Sequence, residues 1–507
     1  MAHDYIKSLK AKIGEEVELK GWVSNKRSSK GLEFIILRDG SGFVQAVVSA
    51  EEVTAEVFEN ANKLTLESAV SLKGKVVADE RQEGGVELQV NHLEIYHIGE
   101  EYPIAKKEHG IDFLMDKRHL WLRSRRQWAI MRIRNTIIQS VHGFFQQNGF
   151  IQMDAPLFTG NACEGTSTLF ETDFYGDTAY LSQSGQLYGE AMALAQGKIY
   201  TFGPTFRAEK SKTRRHLSEF WMIEPEMAFY DLNMNMDLIE SFVRHVVTEV
   251  LSKSEAELAL IERDTESLKN VKKEFPRIPY DDAVKILRGE MKVKGLTSIE
   301  TLETDLKNIN EQIVAIKAEI AEREEKIKQA GIKKGERNFN LNKIGKLKAE
   351  AKDLQERSQN IPHWIESARN FQHGNDFGGS DETVLTRLFD APVMVYNWPK
   401  AIKAFYMKQD ENNPDLVKGV DLLAPEGFGE IIGGGERETD KDYLIEQIHK
   451  HKLPLEAFEW YLDLRRYGSV PHAGFGMGLE RFVAWICGLH HVRETIPFPR
   501  MYGRLLP

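Results

Sequence analysis

The sequence predicts an α+β protein with a small β-barrel at its N-terminus, followed by a larger domain of helices and strands. Its 507 residues are more than a single hydrophobic core usually organises. Short apolar or alternating segments fill the N-terminal part, whereas helical spacing of apolar residues governs later segments. We therefore expect a barrel at 1–100, a hinge at 101–117, and a second domain at 118–507 with a helical insertion at 299–361.

The barrel is predicted from several short strands between residues 17 and 98. The segments that alternate or run apolar are 17–23, 32–37, 44–48 and 71–77. Asp39-Gly40-Ser41-Gly42 has the composition of a turn. This pattern fits a barrel of the OB type, a fold that commonly binds single-stranded nucleic acid. Phe34 lies in one apolar strand, so its residue type alone favours a place in the core.

Two later regions have helical periodicity. Residues 118–148 place apolar side chains at helical spacing, and the pattern ends at Asn148-Gly149. From 299 to 361 apolar residues recur at alternating spacings of four and three, interrupted by Gly331 and Gly335. We interpret this insertion as an antiparallel helical hairpin, which either braces the fold or reaches RNA or a partner.

The composition is typical of a cytoplasmic globular protein. Cys163 and Cys487 are the only cysteines, so a disulfide framework is not expected. The chain starts without the apolar segment of a signal peptide, and no apolar run is long enough to span a membrane. The net charge of −10 argues against general nucleic-acid binding. The basic stretches 20–30 and 118–134 are still compatible with binding one folded RNA.

Two distant segments each set an arginine beside glycines or short polar residues. The first comprises Phe206-Arg207-Ala208-Glu209 and the run from Arg215 to Phe220, and the second is the run from Gly474 to Arg481. Either segment alone has a simpler interpretation, as a surface ion pair or a tight turn. Together, two permanent guanidinium charges suit the two ends of a bound triphosphate. The pair indicates an enzyme that activates its substrate with a nucleotide.

The patterns FRxE, RHLxEF and GxGxGxER resemble motifs 2 and 3 of the class II aminoacyl-tRNA synthetases. The resemblance implies ATP as a substrate and two catalytic arginines. Arg207 would contact the α-phosphate and the attacking carboxylate, and Arg481 the γ-phosphate. Glu209 would lie near the adenine amino group, and Phe220 would stack on the adenine ring. The other ATP-binding residues implied on this loop are Arg215, His216 and Leu217.

Two carboxylates belong to the same resemblance. Asp421 lies in an apolar strand, and Glu430 lies in GEIIGGGxR, a context specific to the family. Carboxylate oxygens shared with phosphates are the ligands that Mg²⁺ prefers. We expect Asp421 and Glu430 to hold Mg²⁺ on the ATP phosphates, with Glu430 also part of the ATP site.

Other residues resemble the amino-acid site of the aspartyl and asparaginyl subgroup. The arginine at the position of Arg437 contacts the substrate side chain in that subgroup. The loop SQSGQLYGE places Gln186 at the α-amino group, with Ser184 beside it. Glu224 is expected to accept a hydrogen bond from an amino or amide NH₂ group. Glu164 lies in a segment that resembles the flexible loop closing over the amino acid.

Two glycines in that loop distinguish the amide from the acid. Aspartyl enzymes carry Pro at the position of Gly185 and Lys at that of Gly189, where the lysine neutralises the aspartate side chain. Both positions are glycine in this chain. Without that cation, a desolvated carboxylate has no partner, and a neutral amide is favoured.

The N-terminal barrel resembles the anticodon-binding barrel of the same subgroup. The pattern is GWVxxxR, then Phe34, then LRDGSGxxQ. The resemblance implies that Phe34 stacks on the central uridine of the anticodon and that Gln45 hydrogen-bonds the edge of that base. Arg27 would lie near the same anticodon loop.

Apart from the helical insertion, nearly the whole chain resembles the asparaginyl-tRNA synthetases. The implied function is an asparagine–tRNA ligase with ATP, L-asparagine and tRNA(Asn) as partners and no membrane association. The helix at 118–148 and the strand ending at Pro156 resemble motif 1, which forms the family's homodimer interface. An ordinary core helix and strand would give the same pattern.

Three other functions remain open on the sequence. One is an aspartyl-tRNA synthetase, including a form that charges both tRNAs, although Gly185 and Gly189 argue against it. Another is an asparagine synthetase built on the class II core, but enzymes of that type lack the anticodon barrel. The last is a noncatalytic RNA-binding paralogue, which typically loses one of the site residues that this chain retains.

Overall fold

The computed structural model describes residues 3–104, 107, 109–160, 169–329 and 331–507. The chain divides into two compact units, Met1–Met115 (unit 1) and Asp116–Pro507 (unit 2). The boundary between them lies inside the segment 101–117 that the sequence predicts as a hinge. No helix of the described ranges is long and apolar enough to cross a membrane.

Unit 1 is a closed five-stranded barrel. Its strands are β1 (Glu16–Ser29), β2 (Leu32–Arg38), β3 (Phe43–Ser49), β4 (Ala69–Ala78) and β5 (Val86–His97). They follow the order β1-β2-β3-β5-β4, with β3 and β5 parallel and the other neighbours antiparallel. The short helices of this unit are α1 (Ala55–Lys63) and the 3₁₀ helices Ile6–Lys12 and Glu83–Gly85. The predicted OB-type barrel is confirmed.

Strand alternation decides which residues of β2 enter the barrel core. Ile35 is fully buried inside, whereas its neighbour Phe34 points to the other side and is half-buried. The expectation from residue type that Phe34 belongs to the core is therefore wrong. The turn after β2 has the predicted form, because Asp39 Oδ1 accepts from the N–H groups of Ser41 (2.8 Å) and Gly42 (3.1 Å).

The remaining α-helices follow the barrel strands in sequence. They are α2 (Ile111–Asp116), α3 (Arg118–Trp121), α4 (Arg125–Gln147), α5 (Gln186–Gln196), α6 (Leu232–Lys253), α7 (Glu255–Leu260), α8 (Glu266–Lys269), α9 (Tyr280–Leu287), α10 (Ser298–Lys328), α11 (Lys334–Arg369), α12 (Gly379–Thr386), α13 (Lys441–Lys450), α14 (Glu459–Arg466) and α15 (Leu479–Cys487). Short 3₁₀ helices lie at Asn270–Lys272, Lys400–Ile402, Leu455–Phe458 and Val492–Glu494.

The sheet of unit 2 has eight strands in the order β12-β13-β14-β15-β16-β11-β10-β6. The strands in the described part of unit 2 are β6 (Ile151–Gln152), β7 (Phe158–Thr159), β8 (Glu171–Phe174), β9 (Asp177–Leu181), β10 (Lys198–Phe206), β11 (Glu219–Ala228), β12 (Arg277–Pro279), β13 (Val393–Pro399), β14 (Leu416–Ala424), β15 (Gly429–Glu436) and β16 (His472–Gly478). The strands from β13 to β10 are antiparallel, and β7-β9-β8 form a separate small sheet. An antiparallel sheet flanked by helices confirms the predicted fold class.

Helix α4 packs into the core of unit 2. Ser124 caps its start by accepting from the Gln127 N–H, and Ile133 and Ile137 are fully buried with residues of α6 and β11. Its end at Gln147 agrees with the periodicity at 118–148, but its start at Arg125 lies inside the predicted helix. The segment before it is a separate short helix, because the chain turns at Ser124.

Two arginines of the basic stretch 118–134 are buried. Arg118 donates to the backbone oxygens of Pro497 and Ile496, both at 2.8 Å. Arg134 pairs with Glu480 at 2.8 Å. Guanidinium groups buried and paired inside the protein are not accessible to RNA phosphates. The interpretation of 118–134 as one basic RNA-binding surface is therefore wrong for these two residues.

Helices α10 and α11 form the predicted antiparallel hairpin. Thr297 and Glu300 build a capping box at the start of α10. The two helices bury a seam of Leu302, Ile309, Ile313, Ile316, Ile344, Leu347, Ala351, Leu354 and Ile361. Lys348 pairs with Glu324 across the seam at 2.8 Å. Helix α11 runs to Arg369, past the predicted end of the hairpin at 361.

Candidate active site

Strand β11 presents a row of four side chains on one face of the sheet. Phe220, Met222, Glu224 and Glu226 share that face because side chains of a strand alternate between its two sides. All four line one or both of two neighbouring cavities, of 510 Å³ (the larger cavity) and 110 Å³ (the smaller cavity). The residues lining both cavities are Arg207, Met222, Glu430 and Gly476.

The smaller cavity holds the arginines predicted to bind a triphosphate. Arg481, in the first turn of α15, donates to the backbone oxygen and to Oε2 of Glu430, each at 3.2 Å. Arg207 directly follows β10, and its Cζ lies 5.5 Å from the ring centroid of Phe220. Leu217 is buried and also lines this cavity. Segments far apart in the sequence thus bring two cations and an aromatic ring to one place.

The loop between β10 and β11 adds a further arginine and a histidine. Arg215 donates from Nη1 to Glu382 Oε2 at 2.5 Å and from Nη2 to the backbone oxygen of Gly427 at 2.6 Å. His216 Nε2 lies 3.6 Å from Glu209 Oε2. Burial, reinforced by neighbouring guanidinium charges, lowers the pKa of His216. The imidazole is therefore neutral near pH 7 and able to donate one hydrogen bond and accept another.

The larger cavity contains a buried arginine–carboxylate pair. Arg437 donates from Nη2 to Glu226 Oε1 at 2.5 Å and from Nε to Oε2 at 3.3 Å. The two side chains are 2% and 1% exposed. A Cβ at Gly474, on the neighbouring strand, would lie 2.2 Å from the Glu226 carboxyl carbon, so only glycine leaves room for it. A guanidinium donor and a carboxylate acceptor side by side match both ends of an amide group.

Glu224 is held by three groups at the wall of the larger cavity. Ser184 Oγ donates to its Oε1, while the Gly185 N–H donates to Oε2 at 2.8 Å. Thr201 Oγ1 donates to Oε2 at 3.3 Å. Proline at 185 would lack this N–H, so the glycine that distinguishes this loop also fixes Glu224.

Helix α5 anchors the predicted α-amino ligand through a buried network. Gln186 Nε2 donates to Glu190 Oε1 at 3.1 Å. Glu190 also accepts from the Tyr461 hydroxyl and Arg465 Nη2 at 2.8 Å, and its Oε2 lies 3.0 Å from His472 Nε2. Burial alone would raise the pKa of Glu190, but the charges of Arg465 and His472 hold it well below its ordinary value. An ionised carboxylate therefore fixes the position of Gln186.

The two predicted metal ligands converge beside Gly433. A Cβ there would lie 2.9 Å from Glu430 Oε1 and 3.4 Å from Asp421 Oδ1. Lys403 Nζ donates to Asp421 Oδ2 at 2.6 Å. Burial raises the pKa of Asp421 to about 7. The charge of Glu430 acts in the same direction, whereas the charge of Lys403 lowers this pKa. Burial would also raise the pKa of Glu430, but Arg481 and Lys403 hold it below its ordinary value.

Two converging carboxylates fit a Mg²⁺ ion that shares its other ligands with phosphates and water. Within the described ranges, no group of three or more His, Cys, Asp or Glu side chains is arranged to hold a metal.

The structure gathers most of the residues predicted for the active site. Those predicted to bind ATP that line the smaller cavity are Arg207, Arg215, His216, Leu217, Phe220, Glu430 and Arg481. Those predicted to bind the amino acid that line the larger cavity are Ser184, Gln186, Glu224 and Arg437. Glu209 is not among the residues that line either cavity, and its Oε2 lies 3.6 Å from His216 Nε2. Glu164 lies outside the described residues.

The residues predicted to bind an anticodon lie in unit 1. Arg27 and Phe34 face each other across β1 and β2, with Arg27 Cζ 4.2 Å from the Phe34 ring centroid. Gln45 pairs in register with Ile36, two positions from Phe34, so Gln45 and Phe34 share one face of the barrel wall. Gln45 Nε2 donates to Glu87 Oε2 at 3.1 Å.

Both units match known families. Residues 110–502 match the family described as tRNA synthetases class II (D, K and N), and residues 17–96 match the OB-fold nucleic acid binding domain. An asparagine–tRNA ligase of Sorangium cellulosum is 51% identical over 500 residues, 98% of each chain. One of Desulforamulus reducens is 47% identical over 502 residues, 99% of each chain. The chain belongs to the asparagine–tRNA ligase family.

Solved structures of the family agree with this assignment. The asparaginyl-tRNA synthetase of Pyrococcus horikoshii complexed with asparaginyl-adenylate has a TM-score of 0.82 and 37% identity, covering 100% of both chains. That of Entamoeba histolytica has a TM-score of 0.75 and 26% identity, covering 97% of both chains. The asparagine–tRNA ligase fold therefore extends over both units.

Sequence reasoning about this asparagine–tRNA ligase missed several charged residues of the site. The sequence analysis predicts a role for Glu224 but none for Glu226. The two lie two positions apart on one strand and therefore share a face. Glu190 lies four positions after Gln186 on a helix, a spacing that puts both on one side. Lys403 carries no motif of its own, and its only signal is a cation inside the apolar run IKAFYM.

Proposed function

We propose that the two cavities form asparaginyl-adenylate with the residues assigned below. As a member of its family, the chain is an asparagine–tRNA ligase, an aminoacyl-tRNA synthetase with ATP, asparagine and tRNA as its substrates. The observation that carries the residue assignment is the Glu226–Arg437 pair, buried in the larger cavity at 2.5 Å.

The Glu226–Arg437 pair selects asparagine over aspartate. Arg437 donates to the side-chain carbonyl oxygen of asparagine, and Glu226 accepts from its NH₂ group. Burial raises the pKa of Glu226 to about 7, although the charge of Arg437 opposes this. An aspartate side chain would put a second carboxylate against this buried group, where like charges repel strongly. A lysine at 189 would also crowd Glu226, because a Cβ there would lie 3.2 Å from Glu226 Cγ, closer than ordinary van der Waals contact. Gly189 thus leaves room for Glu226.

The α-amino group of asparagine is bound at the entrance of the same cavity. Gln186 and Glu224 accept from it with their side-chain oxygens. The network around Glu190 fixes Gln186, and the Ser184 and Gly185 donors fix Glu224. Because both acceptors are held before the substrate arrives, little conformational entropy is lost when it binds.

The smaller cavity binds ATP in a bent form. Phe220 stacks on the adenine, Glu209 lies toward its amino group, and His216 and Leu217 complete the wall. Arg207 contacts the α-phosphate, while Arg481 and Arg215 contact the γ-phosphate. The asparagine carboxylate attacks the α-phosphorus in line, the bond to the bridging oxygen breaks, and pyrophosphate leaves with the electron pair. Arg207 stabilises the negative charge that develops on the α-phosphate oxygens.

Asp421 and Glu430 are the residues that would hold Mg²⁺. Their converging oxygens provide two hard ligands and leave other positions to phosphate oxygens and water. Bound there, Mg²⁺ supplies charge neutralisation on the phosphates. Lys403 keeps Asp421 oriented toward the cavity through its 2.6 Å hydrogen bond.

Unit 1 binds the anticodon of tRNA(Asn). Phe34 offers an aromatic face on the outer wall of the barrel, Arg27 flanks it, and Gln45 supplies an amide for a base edge. Phe34→Ala is expected to raise the KM for tRNA about tenfold, because base–aromatic stacking contributes roughly 1–3 kcal/mol. ATP–pyrophosphate exchange without tRNA should be unchanged. A loss of exchange equal to the loss of tRNA charging would contradict the assignment.

A homodimer and a cytoplasmic location complete the proposal. The α4 region and the strand that follows resemble the dimerisation motif of the class, and two cysteines in the whole chain are typical of a reducing compartment. Sedimentation equilibrium of the purified protein tests the dimer. A mass of one chain at all micromolar concentrations would rule it out.

ATP–pyrophosphate exchange with each amino acid tests the proposed function. Asparagine should support exchange. The kcat/KM of exchange with aspartate should be lower than that with asparagine by a factor of at least about one hundred. Exchange with aspartate alone would contradict the proposal that the Glu226–Arg437 pair selects asparagine. Exchange with neither amino acid would favour a noncatalytic paralogue.

A further inference from the structure

A further cavity of 530 Å³ is enclosed by α11 of the hairpin, α15 and the loop between β10 and β11. The arginines that line it are Arg214, Arg215, Arg263, Arg357, Arg387 and Arg481. We call this cavity the basic cleft. Asp353 and Glu426 are the carboxylates in its lining, so guanidinium groups outnumber them.

The basic cleft adjoins the smaller cavity. Arg215, Arg481 and Val492 line both. Under the proposed function, Arg215 and Arg481 contact the γ-phosphate, so the cleft begins at the end of ATP that carries the leaving group. The inference below therefore rests on the proposed function.

Several arginines of the cleft are already neutralised by carboxylates. Arg263 makes a two-point contact with Glu426 at 2.9 and 2.8 Å. Arg214 lies 3.4 Å from Glu356. Arg215, Arg387 and Arg481 are paired in the same way, with Glu382, Asp305 and Glu430, which leaves Arg357 as the arginine of the cleft without a described carboxylate partner.

Arg357 supplies a positive charge that no described carboxylate balances, and Arg387 supplies a buried donor that no described atom accepts. Arg357, on α11, forms no ion pair with any described residue. Arg387 pairs with Asp305 at 2.9 Å, but its buried Nε–H has no hydrogen-bond partner among the described atoms. Burial lowers the pKa of Arg387, and although Asp305 opposes this, the charge of Arg357 lowers it further. Two guanidinium groups that repel each other in a partly buried cavity favour an anion between them.

We propose that the basic cleft binds inorganic pyrophosphate as it leaves the active site. Pyrophosphate carries several anionic oxygens, which match planar guanidinium donors at two points each. It is released next to Arg481 and Arg215, and Arg357 and Arg387 lie in the wall of the adjoining cavity. The hairpin therefore contributes to the reaction by placing Arg357 on the route of the product.

The KM for pyrophosphate in the exchange reaction tests this proposal. Arg357→Gln should raise it about tenfold at saturating ATP and asparagine, since one charge-assisted interaction is lost. The KM for ATP, measured in the forward direction with pyrophosphatase present, should change much less because ATP does not reach Arg357. The inhibition constant of pyrophosphate against tRNA charging should rise in parallel.

Three further variants test whether the effect comes from the charge in the cleft. Arg357→Lys keeps the charge and should recover most of the affinity for pyrophosphate. Arg369→Gln removes an exposed arginine from the same helix, outside the cleft, and should match the wild type. Arg387→Gln should act in the same direction as Arg357→Gln, provided that thermal unfolding shows an intact fold.

An unchanged KM for pyrophosphate in Arg357→Gln would overturn the proposal. So would an effect confined to the KM for tRNA, which would assign the cleft to RNA phosphates instead. Failure of the proposed function looks different, because the wild-type protein would then give no exchange with asparagine at all.

Discussion

The two ends of the active site differ in how much water they admit. At the amino-acid end, the side chains of Arg437 and Glu226 are 2% and 1% exposed. At the ATP end, the side chains of Arg481 and Glu430 are 29% and 39% exposed. Both ends use arginine–carboxylate pairs, but only the first pair is sealed from solvent.

This difference follows from what each end has to recognise. Asparagine and aspartate differ by one NH₂ group in place of an oxygen, so the protein must set a donor and an acceptor in fixed positions without competing water. ATP is recognised by its large charge, and exposed cations attract it without exact placement of each group. Changes at the amino-acid end should therefore affect stability and specificity, and changes at the ATP end mainly the rate.

Glu190→Gln should have the largest effect on stability. Removing this carboxylate leaves the buried Arg465 without its charge partner, which costs roughly 3–5 kcal/mol in free energy of unfolding. Urea denaturation measures this loss. Glu459→Gln, on the surface of α14, removes a partner of Arg466 and should cost at most about 1 kcal/mol. Equal losses in the two variants would contradict the contrast between buried and exposed pairs.

The stability difference between the wild type and Glu190→Gln should depend on pH. The folded-state pKa of Glu190 is depressed, so its contribution is fully present above the ordinary value of 4.5 and is lost as the pH falls through the lower folded-state value. The stability difference between wild type and Glu190→Gln should therefore be constant above pH 4.5 and shrink below it. A difference that grows on acidification would contradict this assignment.

Arg481→Ala should leave the fold intact and reduce the rate. Its pair with Glu430 is partly exposed and contributes little to stability. Loss of a cation at the transferring phosphates should lower the exchange rate about 10²- to 10³-fold. Arg132→Ala, which breaks a surface pair with Glu257, serves as the control. Near-normal exchange in Arg481→Ala would remove its phosphate role.

Glu226→Gln should weaken the choice between asparagine and aspartate. Without the carboxylate, the repulsion of aspartate disappears while a hydrogen-bond acceptor remains. We expect the ratio of kcat/KM values for the two amino acids to fall about 10- to 100-fold. The ratio is independent of the fraction of folded protein, so a loss of stability does not affect it. An unchanged ratio would place the selection elsewhere in the cavity.

Gly185→Pro should have the smallest effect. Proline lacks the N–H that donates to Glu224 Oε2 at 2.8 Å, so Glu224 loses one of its three holding contacts. The KM for asparagine should rise about tenfold, corresponding to one hydrogen bond to a charged group. Gly185→Ala keeps the N–H and should be milder. A greater loss in the alanine variant would point to crowding against Glu224 and Thr201 instead.

Local patterns predicted the elements and much of the site. The strands of the barrel, the hairpin seam and the turn at Asp39 each follow from spacing within a few residues. Arg207, Arg481 and Glu430 were found because each lies in a short motif with glycines or polar neighbours. These features were readable because the residues that define them are close together in the chain.

The tertiary structure alone decided which charges meet in the interior. Arg437 and Glu226 are 211 residues apart in sequence, and Arg465 and Glu190 are 275 apart. No periodicity joins such residues, and their pairing depends on which strands and helices become neighbours. The same holds for Arg118. The sequence places it in a basic stretch, whereas the fold buries it against backbone oxygens. The sequence by itself determined the elements and the motifs proposed to bind ATP, whereas the packing of distant elements determined the buried Arg437–Glu226 pair proposed to bind the amino acid.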